Sequence, residues 1–404
     1  MILRSRDRRG QTLVIFALAL TALIAMVGLV VDGGNAFAQQ RKTQNGADAA
    51  AEAGATELAR RAIGVPGTDA QWDARVWQSI QDSIGYNEVT LNGTPQYTDF
   101  DGNPLGPINT GSIPTEARGV AVTSDRNFRT YFAGVVGLSN FTATAQATAR
   151  TGYATTVAGS GLMPVTFPVM LEQCVPGSGS DGLVLPTYGT PASHDWPIGP
   201  NNPVALPFCA NGPGNIGWID WTPTMGGASE VADQILNPSG PAIHVNHWYY
   251  ITQTGAITSL DNEFDTWEGR DIFIPIYYVE AGPGSADPPV PSLIGTCDTQ
   301  PSDLTDVHSC PGGHLGGSGS NEWYYITAFA NFHLLHSYIA DNHQLECNDP
   351  ALVSTATFGG NIGGSALNNC LIGYFNDPVL VGGGEVSINP PSADFHSFGV
   401  QLIQ

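Results

Sequence analysis

The sequence predicts an α+β protein in three successive parts. These are a long N-terminal transmembrane and stalk helix, a small α+β head, and a disulfide-stapled β-rich C-terminal domain. Three observations carry this reading. Residues 11–31 hold no charge, proline is absent before Pro66 yet occurs 24 times beyond residue 150, and all six cysteines lie beyond residue 170. A proline-free, alanine-rich beginning supports a long helix, whereas frequent proline forbids one and favours short strands joined by turns.

The first element is the uncharged run QTLVIFALALTALIAMVGLVV, about 31 Å long as a helix and so long enough to cross a bilayer. Arg4, Arg6, Arg8 and Arg9 precede it and Asp32 follows it. The positive-inside rule then makes residues 1–10 a cytoplasmic basic tail and 11–31 the transmembrane helix, with the bulk extracytoplasmic. The lipid bilayer is the first expected partner. A cleaved secretory signal is the competing reading, because Ala36-Phe37-Ala38 before Gln39 has the small-x-small form of a cleavage site. An apolar run of this length exceeds the roughly 7–15 residues of a signal peptide, which favours the anchor.

Residues 32–64 read as a helical stalk continuing the span, rich in Ala, Glu, Gln and Arg. One helix from about Thr12 to Ala62 would be about 75 Å long. Gly33, Gly34 and Gly46 are its expected weak points, each costing about 1 kcal/mol of helix propensity.

Residues 65–151 form the head. Thr68-Asp69-Ala70-Gln71 is a capping box opening a helix whose Trp72, Val76, Ile80 and Ile84 recur every fourth residue, with Gly85 closing it. VTL and QYT around Asn92-Gly93 suggest a short hairpin, with Pro95 limiting the pairing on one side. A strand at VAVT, a helix over 127–136 and a final strand should follow. In that last strand Phe141, Ala143, Ala145 and Ala147 face one way and Thr142, Thr144, Gln146 and Thr148 the other.

Residues 152–404 consist of short apolar and aromatic runs separated by Gly, Pro, Asn and Asp clusters, the pattern of a β-dominated body. WYYIT occurs at 248–252 and again at 323–327, either an internal duplication or two similar strands. Stretches 174–217, 282–321 and 359–370 read as long loops. Cys174, Cys209, Cys297, Cys310, Cys347 and Cys370 are even in number and, on this topology, in an oxidising compartment, so disulfides are expected. Six cysteines admit about 15 connectivities; sequential pairing would close loops of 35, 13 and 23 residues.

Charge narrows the function. The net charge is −22, from 14 basic and 36 acidic residues. Arg270 is the only basic residue beyond 150, which excludes a nucleic-acid binder working through a basic surface. The only lysine, Lys42, lies on the stalk, and no Gly-rich Lys-containing phosphate loop exists, so nucleotide hydrolysis by a P-loop is excluded as well.

Arg8-Arg9-Gly10-Gln11 before the apolar run, Asp32 at its end, and Gln44-Asn45-Gly46-Ala47-Asp48-Ala49-Ala50-Ala51 with Ala53-Gly54-Ala55 resemble the TadE/TadG-like N-terminal region of tight-adherence (Flp) pilus assembly proteins. The resemblance covers about residues 8–60. It implies a single-pass membrane protein of a bacterial pilus or secretion apparatus, with a pilin-like head and with pilus-assembly or pilin-like proteins as partners. The ending FTATAQATAR, residues 141–150, is similar to segments of Tad-type pseudopilins. One departure matters: processed pilin-like members carry Glu five residues after the cleavage glycine, and here that position is Ile15. Processing by a prepilin peptidase is therefore not expected.

Chemistry is sparse. Asp220, Thr222 and Thr224 have a D-x-T-x-T spacing at the end of an expected strand and before the helix-like ASEVADQIL, a set able to hold a hard divalent cation. Some TadG-like proteins end in a von Willebrand factor A domain whose metal site begins D-x-S-x-S. Here the hydroxyls are Thr, Pro223 interrupts, and the alternating β/α pattern of that domain is absent. His333 and His336 would share a helix face, with His343 nearby, and His244 and His247 repeat the spacing. The acidic stretch Asp261 to Asp271 offers a calcium loop without the mid-loop Gly and terminal Glu of an EF-hand. The expectation is a non-catalytic protein without cofactor. The rivals are a tethered hydrolase using Asp261 and Asp265 as acid and base, and a surface adhesin or glycan-binding module using exposed Trp and Tyr.

Overall fold

The computed structural model describes residues 9–157, 161–168, 199–207, 218–219, 228–238, 242–245, 247–250, 260–277, 323–339, 343–347, 349, 351–352, 369–376, 379–381, 384–389 and 397–403. The chain divides into two compact units, one of Met1–Leu58, Gly67–Arg150 and Leu402–Gln404, the other of Ala59–Pro66 and Thr151–Gln401. The expected fold class holds: a long apolar N-terminal helix, mixed helices and sheets, and a disulfide in the C-terminal region.

In the first unit α1 (Arg9–Ala62) is a single helix of 54 residues, about 80 Å from end to end. It passes through Gly33, Gly34 and Gly46 without a break. Gly46 is a packing seat and not a weak point. A Cβ there would lie 2.8 Å from Val89 Cγ2, and one at Gly54 would lie 3.1 Å from both Ile80 Cγ1 and Val120 Cγ1. Ala47, Ala50, Ala51 and Ala55 between and beside them are fully buried. The spacing puts these small residues on one stripe of the helix, where side-chain-poor positions let other elements approach closely.

α2 (Asp69–Tyr86) opens with the expected capping box, Gln71 N donating to Thr68 Oγ1 and Thr68 N donating to Gln71 Oε1. Its apolar stripe Trp72, Val76, Ile80 and Ile84 is buried. The helix runs one residue past Gly85 and is capped at Asn87, because Val89 N and Asn87 N still find carbonyl partners at Ile84 and Ser83.

The hairpin expected at Asn92-Gly93 does not form. β1 (Thr90–Leu91) and β2 (Gln96–Thr98) lie end to end along β4 (Gly119–Arg129), β1 opposite Ser124 and Asp125, β2 opposite Gly119 to Ala121. Asn92 N donates to Thr123 O and Gly93 takes φ +81°, so the Asn-Gly pair makes a kink along one edge and not a reversal. β2 turns instead into β3 (Pro104–Pro107). The helix expected over 127–136 is also corrected. β4 continues through Arg129, pairing Asn127 with Thr142 and Phe128 with Phe141, and only Ala133–Val136 forms a 3-10 turn, ended by Gly137 at φ +93°. The eleven-pair ladder with β5 (Asn140–Ala154) overrides the local helical tendency. Within β5 the alternation is as expected, with Ala143, Ala145, Ala147 and Ala149 buried.

Asp73 is the buried polar knot of this unit. It accepts from Tyr97 Oη at 2.6 Å, Asn109 N at 2.9 Å and Gly111 N at 2.6 Å. One carboxylate thereby joins α2, β2 and the loop after β3, and its buried charge is fully hydrogen-bonded.

The second unit contains β6 (Thr156–Val157), β7 (Phe167–Pro168), β8 (Val204–Pro207), α3 (Ala228–Leu236), β9 (Ile243–His244), β10 (His247–Tyr250) and α4 (Asp261–Asp265). Then follow β11 (Arg270–Tyr277), β12 (Trp323–Tyr338), α5 (Gln344–Cys347), β13 (Cys370–Phe375), β14 (Val379–Val381), β15 (Val386–Ser387) and β16 (Phe398–Ile403). The 16-residue β12 is its spine, in a sheet of order β7-β11-β12-β13-β8 with β10 also on β12. Val204–Pro207 is a strand inside the stretch read as a loop from 174 to 217. The two WYYIT segments meet as antiparallel partners, Trp248 opposite Tyr325 and Tyr250 opposite Trp323. Met163, Phe167, Trp218, Phe264, Phe332 and Phe375 belong to the main buried cluster. Cys347–Cys370 is bonded as sequential pairing expects and joins α5 to the start of β13. Cys174, Cys209, Cys297 and Cys310 lie outside the described residues.

The small-residue stripe gives a paired expectation. Gly54→Leu drives a side chain into Ile80 and Val120 and destabilises the first unit by about 1–3 kcal/mol. Gly34→Ala, with nothing within 4 Å, stabilises the helix by up to about 1 kcal/mol. Thermal or urea unfolding of the two variants in detergent micelles measures both.

Candidate functional site

The most distinctive surface of the first unit is the beginning of α1. Every large apolar side chain from Leu13 to Val31 is exposed, on all sides of the helix. A helix apolar all round and uncovered by its own protein is suited to lipid or to other helices. It is long and apolar enough to cross a membrane. Its one described hydroxyl from 13 to 31, Thr21 Oγ1, donates back to Ala17 O at 2.9 Å, so no polar group there needs water.

Where the apolar run stops, Asp32 is buried and clamps another part of the chain. Its Oδ1 accepts from Tyr131 N at 2.7 Å, and its Oδ2 accepts from Phe132 N at 3.0 Å and Ala133 N at 2.6 Å. These donors open the 3-10 turn at the tip of the β4–β5 hairpin, so a carboxylate on one element caps the free N–H groups of another. Removal from water acts to raise the Asp32 pKa, and the bonds from Ala133, Tyr131 and Phe132 outweigh it, holding the carboxyl below its ordinary value. One turn on, Asn35 Nδ2 donates to Arg129 O at 3.1 Å. One turn back, a Cβ on Gly28 would lie 2.7 Å from Phe132 Cβ, so the ring sits directly on the bare helix.

The hairpin follows the helix along its length. Val120 meets Gly54, Ser124 Oγ donates to Thr43 O, Arg129 meets Asn35 and Phe132 meets Gly28. Twenty-six helical residues at about 1.5 Å match twelve extended residues at about 3.3 Å, each about 40 Å, so the two run in step. Sequence reading singled out Asp32 as the end of the span and missed its role as a clamp. Its partners are about a hundred residues away, and no local pattern announces them.

The residues read as chemistry behave otherwise. Asp220, Thr222 and Thr224 lie outside the described residues. His333 and His336 are on strand β12, not on a helix. The β12–β13 register shifts between Leu334 and His336; His333 is half-buried and His336 exposed, and each faces its own carboxylate. His333 Nδ1 is 2.7 Å from Asp271 Oδ1 and its ring stacks on Tyr374, while His336 Nδ1 is 3.4 Å from Glu268 Oε1. His244 lies on β9, its pKa lowered by burial against the opposing charge of Glu385. Among the described residues no three metal-ligating side chains gather.

The acidic stretch read as a calcium loop or an acid-base pair is a short helix, α4, and the start of β11. Asp265 Oδ1 accepts from Ser337 Oγ at 2.9 Å, Glu268 Oε1 from Ser337 N at 3.1 Å, and Asp261 Oδ1 from Ile339 N at 3.3 Å. These carboxylates fasten the end of β12. Asp271 Oδ1 accepts from Asn376 Nδ2 at 2.9 Å beside His333.

Residues 10–57 match the family model Tad, described as "Putative Flp pilus-assembly TadE/G-like". The matched segment is a TadE/G-like region lying wholly on α1 and including Asp32, Gly46 and Gly54. No curated protein and no solved structure matches the chain.

Two pH-linked outcomes follow. A lowered folded pKa at Asp32 stabilises the clamp fully above the ordinary carboxylate value of about 3.9 and is lost as pH falls through the folded value. Protection of the Tyr131 to Ala133 amides, measured relative to the intrinsic exchange rate at each pH, should therefore stay high from neutral pH down to the ordinary carboxylate range and fall in more acid solution, and in Asp32→Ala it should be low throughout. Glu52 has the opposite sign: burial, with the charge of Asp48 second, raises its pKa above 4.5. Its ionisation costs stability at neutral pH, so Glu52→Gln should raise the melting temperature at pH 7 and leave it unchanged well below 4.5.

Proposed function

We propose that the protein is a membrane-anchored, extracytoplasmic component of a Tad/Flp-type pilus assembly or related surface structure, acting by packing and display and not by catalysis. The observation that carries this is the two-part character of α1. Its first half is bare and apolar, its second half is the small-residue spine of the head, and the TadE/G-like match spans both. Residues 1–10 are then a cytoplasmic tail, 11–31 the span, 32–64 the stalk, 65–151 a pilin-like head and 152–404 an extracytoplasmic body.

The arginines before the span and Asp32 after it support an inside N-terminus. The Cys347–Cys370 disulfide supports an oxidising compartment for the body. The hydrolase alternative draws no support from Asp261 and Asp265, whose carboxylates bond Ile339 N and Ser337 Oγ. The function assigned is mechanical: the helix holds the chain in the bilayer or among pilin-like helices, the stalk carries the head, and the acidic body meets partners outside.

Fractionation with mass spectrometry of the mature N-terminus tests the reading. Chains keeping Arg4 to Arg9 in the membrane fraction, co-purifying with a pilus platform, are expected. A terminus at Gln11 in sheared filaments would recast the protein as a pilin-like subunit, and one at Gln39 in the medium would remove the anchor.

A further inference from the structure

We infer that the tip of the β4–β5 hairpin, residues 130–139, is a second membrane contact that enters the headgroup and upper acyl region of the bilayer crossed by α1. The inference rests on the anchor reading and adds to it. Depth is the first argument. Phe132 sits on Gly28, inside the apolar run and four residues to the membrane side of Asp32, about 6 Å along the helix axis. If the run is embedded, the tip cannot stay in water.

Composition is the second. TYFAGVVGLS holds no charge, and three of its large side chains are turned outward, with Val135 86%, Tyr131 69% and Leu138 54% exposed. An uncovered apolar tip with a tyrosine among its side chains suits the membrane–water boundary. Satisfaction of the backbone is the third. Hydrocarbon admits main chain only when its polar groups are already paired. Tyr131, Phe132 and Ala133 give their N–H groups to Asp32, Val135 N donates to Phe132 O, Gly137 N to Gly134 O, and Leu138 N to Ala133 O. The neck is closed by Thr130 N donating to Ser139 O and by Thr130 Oγ1 donating to Leu138 O. Asp32 thus makes the tip fit for lipid as well as holding it in place. The occupant argued for is lipid and not a second protein, because Phe132 rests on Gly28 inside the apolar run, so the exposed apolar tip adjoins the span that lipid would surround.

The test places a solvatochromic amino acid at position 135 of the full chain, reconstituted in vesicles of phosphatidylethanolamine and phosphatidylglycerol. The vesicles are prepared with and without acyl chains brominated near the headgroup. References sit at position 20, within the span, and at position 86, where Tyr86 is exposed on the head. Emission at 135 is expected to be blue-shifted and quenched by bromine several-fold more than at 86; a probe at 138 repeats the reading should the first disturb the turn. If 20 is quenched and 135 behaves as 86 does, the tip contact is overturned and the anchor stands. If 135 is blue-shifted but unquenched, another copy or a partner helix covers the tip, and the lipid assignment fails. If 20 itself is unquenched, the anchor reading fails and takes the inference with it.

Discussion

The first unit depends on one constraint, the small-residue stripe along the second half of α1. Gly46, Ala47, Ala50, Ala51, Gly54 and Ala55 present almost no side chain, so other elements come close enough for Ile80, Val89 and Val120 to touch the helix. A helix costs stability at each glycine, and here the loss is offset by apolar contact that no larger residue would allow. With β4 seated on the stripe, the ladder with β5 fixes the second strand and Asp73 fastens α2 to the loops around it.

The same seating sets where the hairpin ends. Because β4 and α1 advance in step over about 40 Å, the tip arrives where the apolar run of α1 ends. Asp32 meets it there with three main-chain bonds. Carboxylate and turn serve each other: the turn supplies donors that keep the carboxylate ionised, and the carboxylate leaves the turn with fewer unpaired groups. A residue that reads in the sequence as the end of an apolar run is thereby the point at which the tip of the β4–β5 hairpin is fixed to α1.

In the second unit the comparable role falls to β12. Neighbouring strands lie on both of its sides, and the two WYYIT segments pair with one another on it. Asp261, Asp265 and Glu268 hold its last residues through Ser337 and Ile339. The acidic stretch 261–271 offers a calcium loop or a hydrolytic pair in one dimension. In three dimensions Asp261, Asp265 and Glu268 each accept from a main-chain or side-chain donor at the end of β12.

Local periodicity and composition by themselves determined the long helix, the capping box at Thr68, the buried stripe of α2, the alternation of β5 and the β-rich body. Each is a property of neighbours in sequence: a missing proline, a four-residue repeat, a two-residue repeat, a run of turn residues between short apolar segments. Only the tertiary structure decided that Asn92-Gly93 bends an edge instead of reversing it, and that residues 127–129 join a strand where local preference favoured a helix. It also decided that Gly46 and Gly54 are contact points and that Asp32 binds a turn about a hundred residues away. Those outcomes depend on pairing and close packing between distant segments, whose free energy exceeds the local preferences of the residues involved, and sequence spacing carries no record of which segments meet.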